Sequence, residues 1–166
     1  AGSRGALGVL TEVSLKVLPV PEAEATLMAR GLGVAGAVAA MAAALGSPYG
    51  ITGAAHLTDG DETLLRIEGL AGSVAYRTGR LRALMGTGWE VAEGSADRWR
   101  AVRDVVALHG GGGAVWRLHL KPSDAPGVVA ALGGRAVIDW GGALVWLHLP
   151  EARVAMVRAA VAAVGG

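Results

Sequence analysis

Gly2, Ser3, Gly5 and Gly8 stand just before an alternating run of Val9, Thr11, Val13, Leu15 and Val17, which Pro19 ends. Glycine allows positive φ and lets a ligand approach the main chain closely. The block therefore reads as a ligand-hugging turn feeding a strand over residues 9–17. A second candidate is Asp139 beside Trp140, ahead of Gly141-Gly142. A carboxylate next to an indole on a hairpin rim can line a ligand face or a subunit interface. It can also simply accept backbone hydrogen bonds at the turn. Arg66, Arg117 and Arg135 fall in strand-like runs, where a guanidinium can grip a small carboxylate bidentately. The competing role is a solvated sheet face paired with Glu68 or Asp139.

The remaining chemistry-bearing residues point to structure. His119 and His148 fall on strands expected to be antiparallel neighbours, near the C-terminal end of each. They should lie at opposite ends of the sheet, too far apart to share an ion that needs ligands at about 2 Å. His56 in a hairpin and His109 at a helix end read as structural, and no metal site is expected. Gly110 to Gly113 precedes a strand, whereas a phosphate-cradling loop follows a strand and opens a helix, so it is a linker. Gly31-x-Gly33-x-x-Gly36 has the right flanks for a dinucleotide loop. A hairpin follows it, however, with no acidic residue in the ribose position. No complete acid–base set is visible, so the catalytic residues are left unassigned.

Composition sets the outer limits. The 166 residues suffice for one domain with a real core or two small related units. Phe is absent, which makes Trp89, Trp99, Trp116, Trp140 and Trp146 the expected core fillers. A net charge of +1 with no polybasic run argues against nucleic acid or an anionic membrane surface as partner. The absence of Cys excludes disulfides, thiolate metal sites and cysteine nucleophiles within this chain. The longest apolar stretch, residues 34–45, is shorter than the roughly 20 residues of a membrane span. A cytoplasmic protein is expected.

The elements that must position these residues follow from periodicity and punctuation. Strands are predicted at 25–30, 52–57, 63–68 and 89–92, with helices at 33–45 and 73–85. A connecting helix is predicted over 95–109, where Trp99, Val102, Val106 and His109 keep helical spacing. Beyond the Gly run come a strand at 114–121 and a helix opening at Ser123-Asp124-Ala-Pro126 and closing at Gly133-Gly134. Strands at 135–140 and 143–149 flank a two-residue Gly141-Gly142 turn. A last helix opens at Pro150-Glu151. Read together, residues 25–92 give β-α-β-β-α-β and residues 114–166 give β-α-β-β-α. The expected fold is α+β: two ferredoxin-like units in an antiparallel sheet, the second short of its last strand, with helices mainly on one face.

The first block resembles the end of a flavin-binding domain in the vanillyl-alcohol oxidase/p-cresol methylhydroxylase superfamily, whose members carry a similar G-S-x-G-x-L-G-[VI]-[IL]-T-E stretch. Ala114-Val-Trp-Arg-Leu, Ser123-Asp-Ala-Pro126 and Val137-Ile-Asp-Trp-Gly-Gly-Ala-Leu-Val-Trp146 are similar to the C-terminal part of bacterial glycolate oxidase FAD-binding subunits. The resemblance runs over essentially the whole chain, although the middle third carries only pattern. It implies FAD as cofactor, with Ser3, Gly5, Gly8 and Val9 against the flavin nucleotide. It implies a cap domain at 20–166 behind an FAD-domain remnant at 1–19. Asp139, Trp140 and Arg117 are then candidates for contact with substrate or a subunit interface. The partners implied are a second flavin subunit, an iron–sulfur subunit and a small 2-hydroxy acid such as glycolate, with membrane association through those subunits. Because an upstream FAD domain is expected to be missing, this polypeptide alone should bind FAD weakly or not at all and be inactive. The alternative from a different class is a ligand-sensing or interaction module built on tandem ferredoxin-like units.

Overall fold

The computed structural model describes residues 6–17 and 19–165. Its centre is a seven-stranded sheet in which every neighbouring pair is antiparallel. The first half contributes β1 (Ala23–Arg30), α1 (Gly33–Leu45), β2 (Gly53–Leu57), β3 (Glu62–Gly69), α2 (Ala71–Met85) and β4 (Glu90–Val91). Next come α3 (Ser95–Arg103) and a short 3-10 turn, Val106–Leu108. The second half adds β5 (Ala114–His119), α4 (Ala125–Leu132), β6 (Arg135–Asp139), β7 (Leu144–Leu149) and α5 (Val154–Ala162).

Strand order across the sheet is β4-β1-β3-β2-β6-β7-β5. The first four follow the ferredoxin-like order, and the last three repeat it in reverse without a counterpart of β4 among the described residues. The two units meet edge to edge where β2 pairs with β6, His56 opposite Ile138 and Leu57 opposite Val137. The α+β reading therefore holds, incomplete second unit included.

Alternation along the strands splits the sheet into two faces. Leu27, Leu65, Ile67, Ile138, Val145 and Leu147 point to one side, where α1, α2, α4 and α5 cover them with Met41, Leu81, Val128, Val157 and their neighbours. Met28, Ala55, Leu64 and Val137 point to the other side. There they meet Trp99 and Val102 of α3 and Leu108 of the 3-10 turn. Four helices thus share one face, and α3 alone crosses the opposite face. That face is covered over the first unit and left largely open over the second.

Several expectations need correction. Residues 9–17 form no strand. Val9 is 89% exposed, and Leu10, Val13, Leu15 and Val17 are exposed too. A strand needs a neighbour to satisfy its backbone groups, and no segment of the sheet lies beside this one. The single helix predicted for 95–109 stops at Arg103, because Val105 adopts φ 55 and breaks the helical course before the 3-10 turn. The β6–β7 connection is longer than two residues. The ladder closes at Asp139–Leu144, and residues 140–143 form the loop, with Trp140, Gly141 and Gly142 all at positive φ. The last helix begins at Val154, after Arg153 in a left-handed conformation, rather than at Pro150.

Candidate functional site

On the open face, between α3 and the strands of the second unit, lies a groove of about 720 Å³. Its size is that of pockets taking drug-sized ligands, roughly 300–1,000 Å³, and well beyond a two-carbon acid alone. Trp99 and the bases of Arg100 and Arg103 form the α3 wall; Arg66, Asp139 and Trp146 come from the sheet, and Trp140 from the loop beyond β6. Strand alternation puts residues 66, 117, 139 and 146 on this side, while Leu65, Ile67, Leu118, Ile138, Val145 and Leu147 enter the helix-covered core.

The α3 wall is pinned to the sheet by hydrogen bonds to β1. Trp99 is buried, and its Nε1 donates to Thr26 Oγ1 at 2.8 Å; Thr26 Oγ1 lies 2.7 Å from Ser95 Oγ at the start of the same helix. The indole in turn carries the Arg66 guanidinium, whose Cζ sits 4.9 Å from the ring centroid. Gly53 on β2 is needed here, since a Cβ would come within 2.9 Å of the Trp99 ring.

The three arginines named from the sequence are not brought together. Arg66 stands on β3 and Arg117 on β5, four ladder steps apart, or about 19 Å across the sheet at roughly 4.8 Å per step. They cannot grip one small carboxylate between them. Arg66 is already engaged, with Nε 3.2 Å from Glu68 Oε2 and Nη2 donating to the Thr52 carbonyl at 3.3 Å. The Nε–Glu68 approach is too bent for a hydrogen bond, which leaves Arg66 Nε and the nearby Glu24 Oε1 buried without partners. Arg135 lies outside the groove and donates to the Ala107 carbonyl. Arg117 packs over the Trp146 ring, Cζ 5.6 Å from its centroid, and has no acidic partner among the described residues.

Asp139 and Trp140 do meet the groove. Asp139 Oδ1 accepts the Trp140 backbone N–H at 2.7 Å, the turn-stabilising bond that the sequence allowed. Burial pushes the Asp139 carboxyl above the ordinary carboxylate range, opposed by that hydrogen bond and by the Arg66 charge. Trp140 is 58% exposed with φ 53, and its ring packs 5.9 Å from the His119 ring. A bulky residue held at positive φ is strained, and such strain persists where the surroundings fix it. Here Leu45 and Pro122 press against the two glycines that follow. The sequence pointed to these two residues. It did not single out Glu24, nor Trp99 as a wall, since helical spacing alone cannot reveal that α3 crosses to the opposite face.

The histidines are structural or separate. His119 pairs with Leu144 and His148 with Val115, at opposite ends of the β5–β7 ladder as expected. His148 Nε2 donates to the Gly112 carbonyl at 2.7 Å. His56 is 1% exposed, with Nδ1 3.0 Å from Thr63 Oγ1, and burial lowers its pKa against the opposing pull of Asp61. Protons then bind the unfolded chain before the folded one, so stability should fall as pH drops below about 6.5. Urea midpoints measured between pH 7.5 and 5.5 should show this slope in the parent and lose part of it in His56→Gln. Equal slopes would refute it. The N-terminus of α1, the place a dinucleotide phosphate would take, is filled by the chain itself. Asp61 accepts the Gly33 N–H at 3.0 and 3.2 Å.

Ser3 and Gly5 lie outside the described residues. Gly8 has φ 151 with nothing within 4 Å of a Cβ position, and Val9 is exposed. These two residues make no flavin cradle by themselves. Among the described residues no helix is long and apolar enough to cross a membrane, and no three potential ligands cluster to hold a metal ion.

No family model matches the chain. It is 40% identical over 148 residues, 88% of its length, to the glycolate oxidase subunit GlcE of Escherichia coli (strain K12). The match covers 38% of that protein. The chain is thus similar to part of this glycolate oxidase subunit and spans about two-fifths of its relative's length.

Proposed function

We propose that this chain is the cap part of an FAD-linked oxidoreductase subunit that takes part in oxidising glycolate or a similar small 2-hydroxy acid. The observation that carries this reading is the 40% identity to a glycolate oxidase subunit. In it, residues 1–19 end an FAD-binding domain and residues 20–166 form the cap. Two features of the fold support it. The apolar residues Leu7, Val9, Leu10, Val13, Leu15 and Val17 are exposed at one end of the chain, as expected of a strand whose sheet belongs to another domain. The sheet also keeps one face open over the second unit, with a groove on it. The proposed partners are a second flavin subunit and an iron–sulfur subunit, in a cytoplasmic complex associated with the membrane through those subunits.

FAD, when bound, supplies the electron acceptor. Because Gly8 and Val9 build no cradle here, most of its binding surface belongs to the rest of the full-length protein. The contribution of this chain is to wall the site with Trp99, Trp140 and Trp146 and to exclude water from it. The full-length protein is expected to copurify with stoichiometric flavin and to support glycolate oxidation together with its partner subunits. Residues 20–166 alone should carry no flavin absorbance and no activity. A full-length protein free of flavin and inert towards 2-hydroxy acids would overturn this reading.

A further inference from the structure

The two edges of the sheet are finished differently. At one end β4 covers β1: Val91 pairs with Leu27, Glu90 with Met28, and the Ala92 N–H donates to the Thr26 carbonyl at 2.8 Å. Leu27, which β4 flanks, is 1% exposed. At the other end β5 pairs with β7 alone. The Leu120 N–H donates to the Ala143 carbonyl just ahead of β7, so by antiparallel alternation the even-numbered residues of β5 bond inwards. The N–H and C=O groups of Val115, Arg117 and His119 therefore point out of the sheet, with no partner among the described residues. Val115 is half exposed, Trp116 is only partly covered, and the buried Trp116 Nε1 has no acceptor. An open edge of six residues without proline is one that folded proteins normally cover.

The first unit is a template for the strand that belongs there. The last ladder pair of β1 with β3 is Arg30–Glu62, and that of β5 with β7 is His119–Leu144. Aligned on these ends, Leu27 matches Trp116, while Thr26 and Met28 match Val115 and Arg117. The positions that β4 engages on β1 thus have counterparts on β5 with the same outward orientation. In the first unit the edge strand arrives from α2: Gly86, at φ 83, turns the chain after Met85, and β4 begins at Glu90. In the second unit α5 takes the place of α2, packing Val157 and Val161 against the same side of the sheet. Beyond α5, Gly165 again has positive φ, at 73. Both units close their second helix with a left-handed glycine, a turn that lets the chain double back towards the sheet.

We infer that in the full-length protein the segment following α5 forms an eighth strand, antiparallel to β5, whose backbone bonds to Val115, Arg117 and His119. It stands to β5 as β4 does to β1, opposite Trp116 and Arg117. The match to the relative leaves most of that protein's length outside this chain, so there is room for such a segment. Its residues on the helix side are apolar, since they flank Trp116 as Val91 flanks Leu27. Its residues on the open face stand beside Arg117 and extend the sheet wall of the groove past its present rim. This goes beyond the functional reading and does not depend on it.

Residue-resolved hydrogen exchange on the full-length protein, purified without other subunits, tests this. The amides of Val115, Arg117 and His119 should exchange within about tenfold of those of Trp116 and Leu118, which face β7. A protected run should also appear within about ten residues after Gly166, the reach of a short connection. Outward amides that exchange roughly a hundredfold or more faster than the inward ones mean an open edge and overturn the inference. Protection that vanishes on dilution, or that comes without a protected run after Gly166, gives the edge to a second copy or another segment and overturns it equally. Val115→Pro removes one outward donor. It should speed exchange of the run after Gly166 by about tenfold or more, while the Leu65 amide in the middle of the sheet keeps its rate. An unmoved run would place that segment elsewhere and overturn the pairing. The parent measurement decides the question even where Val115→Pro fails to fold. Flavin content and glycolate oxidation of the same samples report on the functional reading separately.

Discussion

Trp99→Ala is expected to destabilise the protein by about 3–5 kcal/mol, the range for truncating a buried tryptophan. Trp99 is 8% exposed and is the main apolar anchor of α3 on the second face of the sheet, with Val102 and Leu108 beside it. Truncation removes the packing against Met28, Ala55 and Leu64, the bond from Nε1 to Thr26 and the platform under Arg66. Trp99→Phe keeps most of the apolar contact. It should cost nearer the 0.5–1.5 kcal/mol of one hydrogen bond, together with some loss of packing volume. Urea unfolding followed by far-UV circular dichroism measures both. Near-parent stability in Trp99→Ala would mean that α3 is not held on the sheet as described. The functional consequence follows from the same geometry: with α3 loosened, the groove loses one wall, so ligand binding should weaken even at temperatures where the protein stays folded.

The second large effect should come from Gly113→Ala, at the entry to β5. Gly113 has φ 102, which any L side chain tolerates poorly, at roughly 1–3 kcal/mol. A Cβ there would also run into the Leu149 carbonyl oxygen and come within 2.8 Å of the Pro150 carbonyl group. Both obstacles are backbone, so relief requires moving the end of β7 or the start of β5. The expected cost is on the order of 3 kcal/mol or more from the strain and overlap combined. The neighbouring Gly112→Ala provides the matched comparison. Gly112 has no positive φ and nothing within 4 Å of a Cβ position, so it should change stability by less than about 1 kcal/mol. Similar melting temperatures for the two variants would show that the Gly110 to Gly113 segment is a loose linker. The packing of Gly111 and Gly112 against His148 and Arg135 argues otherwise.

Much of the fold was readable from local signals because those signals agreed with tertiary needs. The α1 boundaries at Gly33 and Leu45 coincide with the Ala-rich run between glycines, and Gly133 ends α4 at positive φ as its position suggested. The repeated order of strands and helices was enough to give the ferredoxin-like arrangement, since hairpins and crossovers leave few ways to pair antiparallel strands. Where local signals misled, a missing or competing partner explains it. The alternation of residues 9–17 is real, but alternation specifies a strand only when another strand is present to pair with it. The helical spacing through His109 was genuine only to Arg103, after which the chain has to turn towards β5.

By itself the sequence determined the fold class, carried the likeness to part of a glycolate oxidase subunit and named four residues that line the groove, Arg66, Arg117, Asp139 and Trp140. These depend on residue type and spacing, which the chain carries locally. Only the tertiary structure decided which charges share a site. Arg66, Arg117 and Arg135 look alike along the chain. Sheet order and register set Arg66 four strands from Arg117, put Arg135 outside the groove, and left Arg117 over Trp146 with no acidic partner among the described residues. Strand pairing between distant segments has no local signature, so the spacing of those charges could emerge only from the assembled sheet.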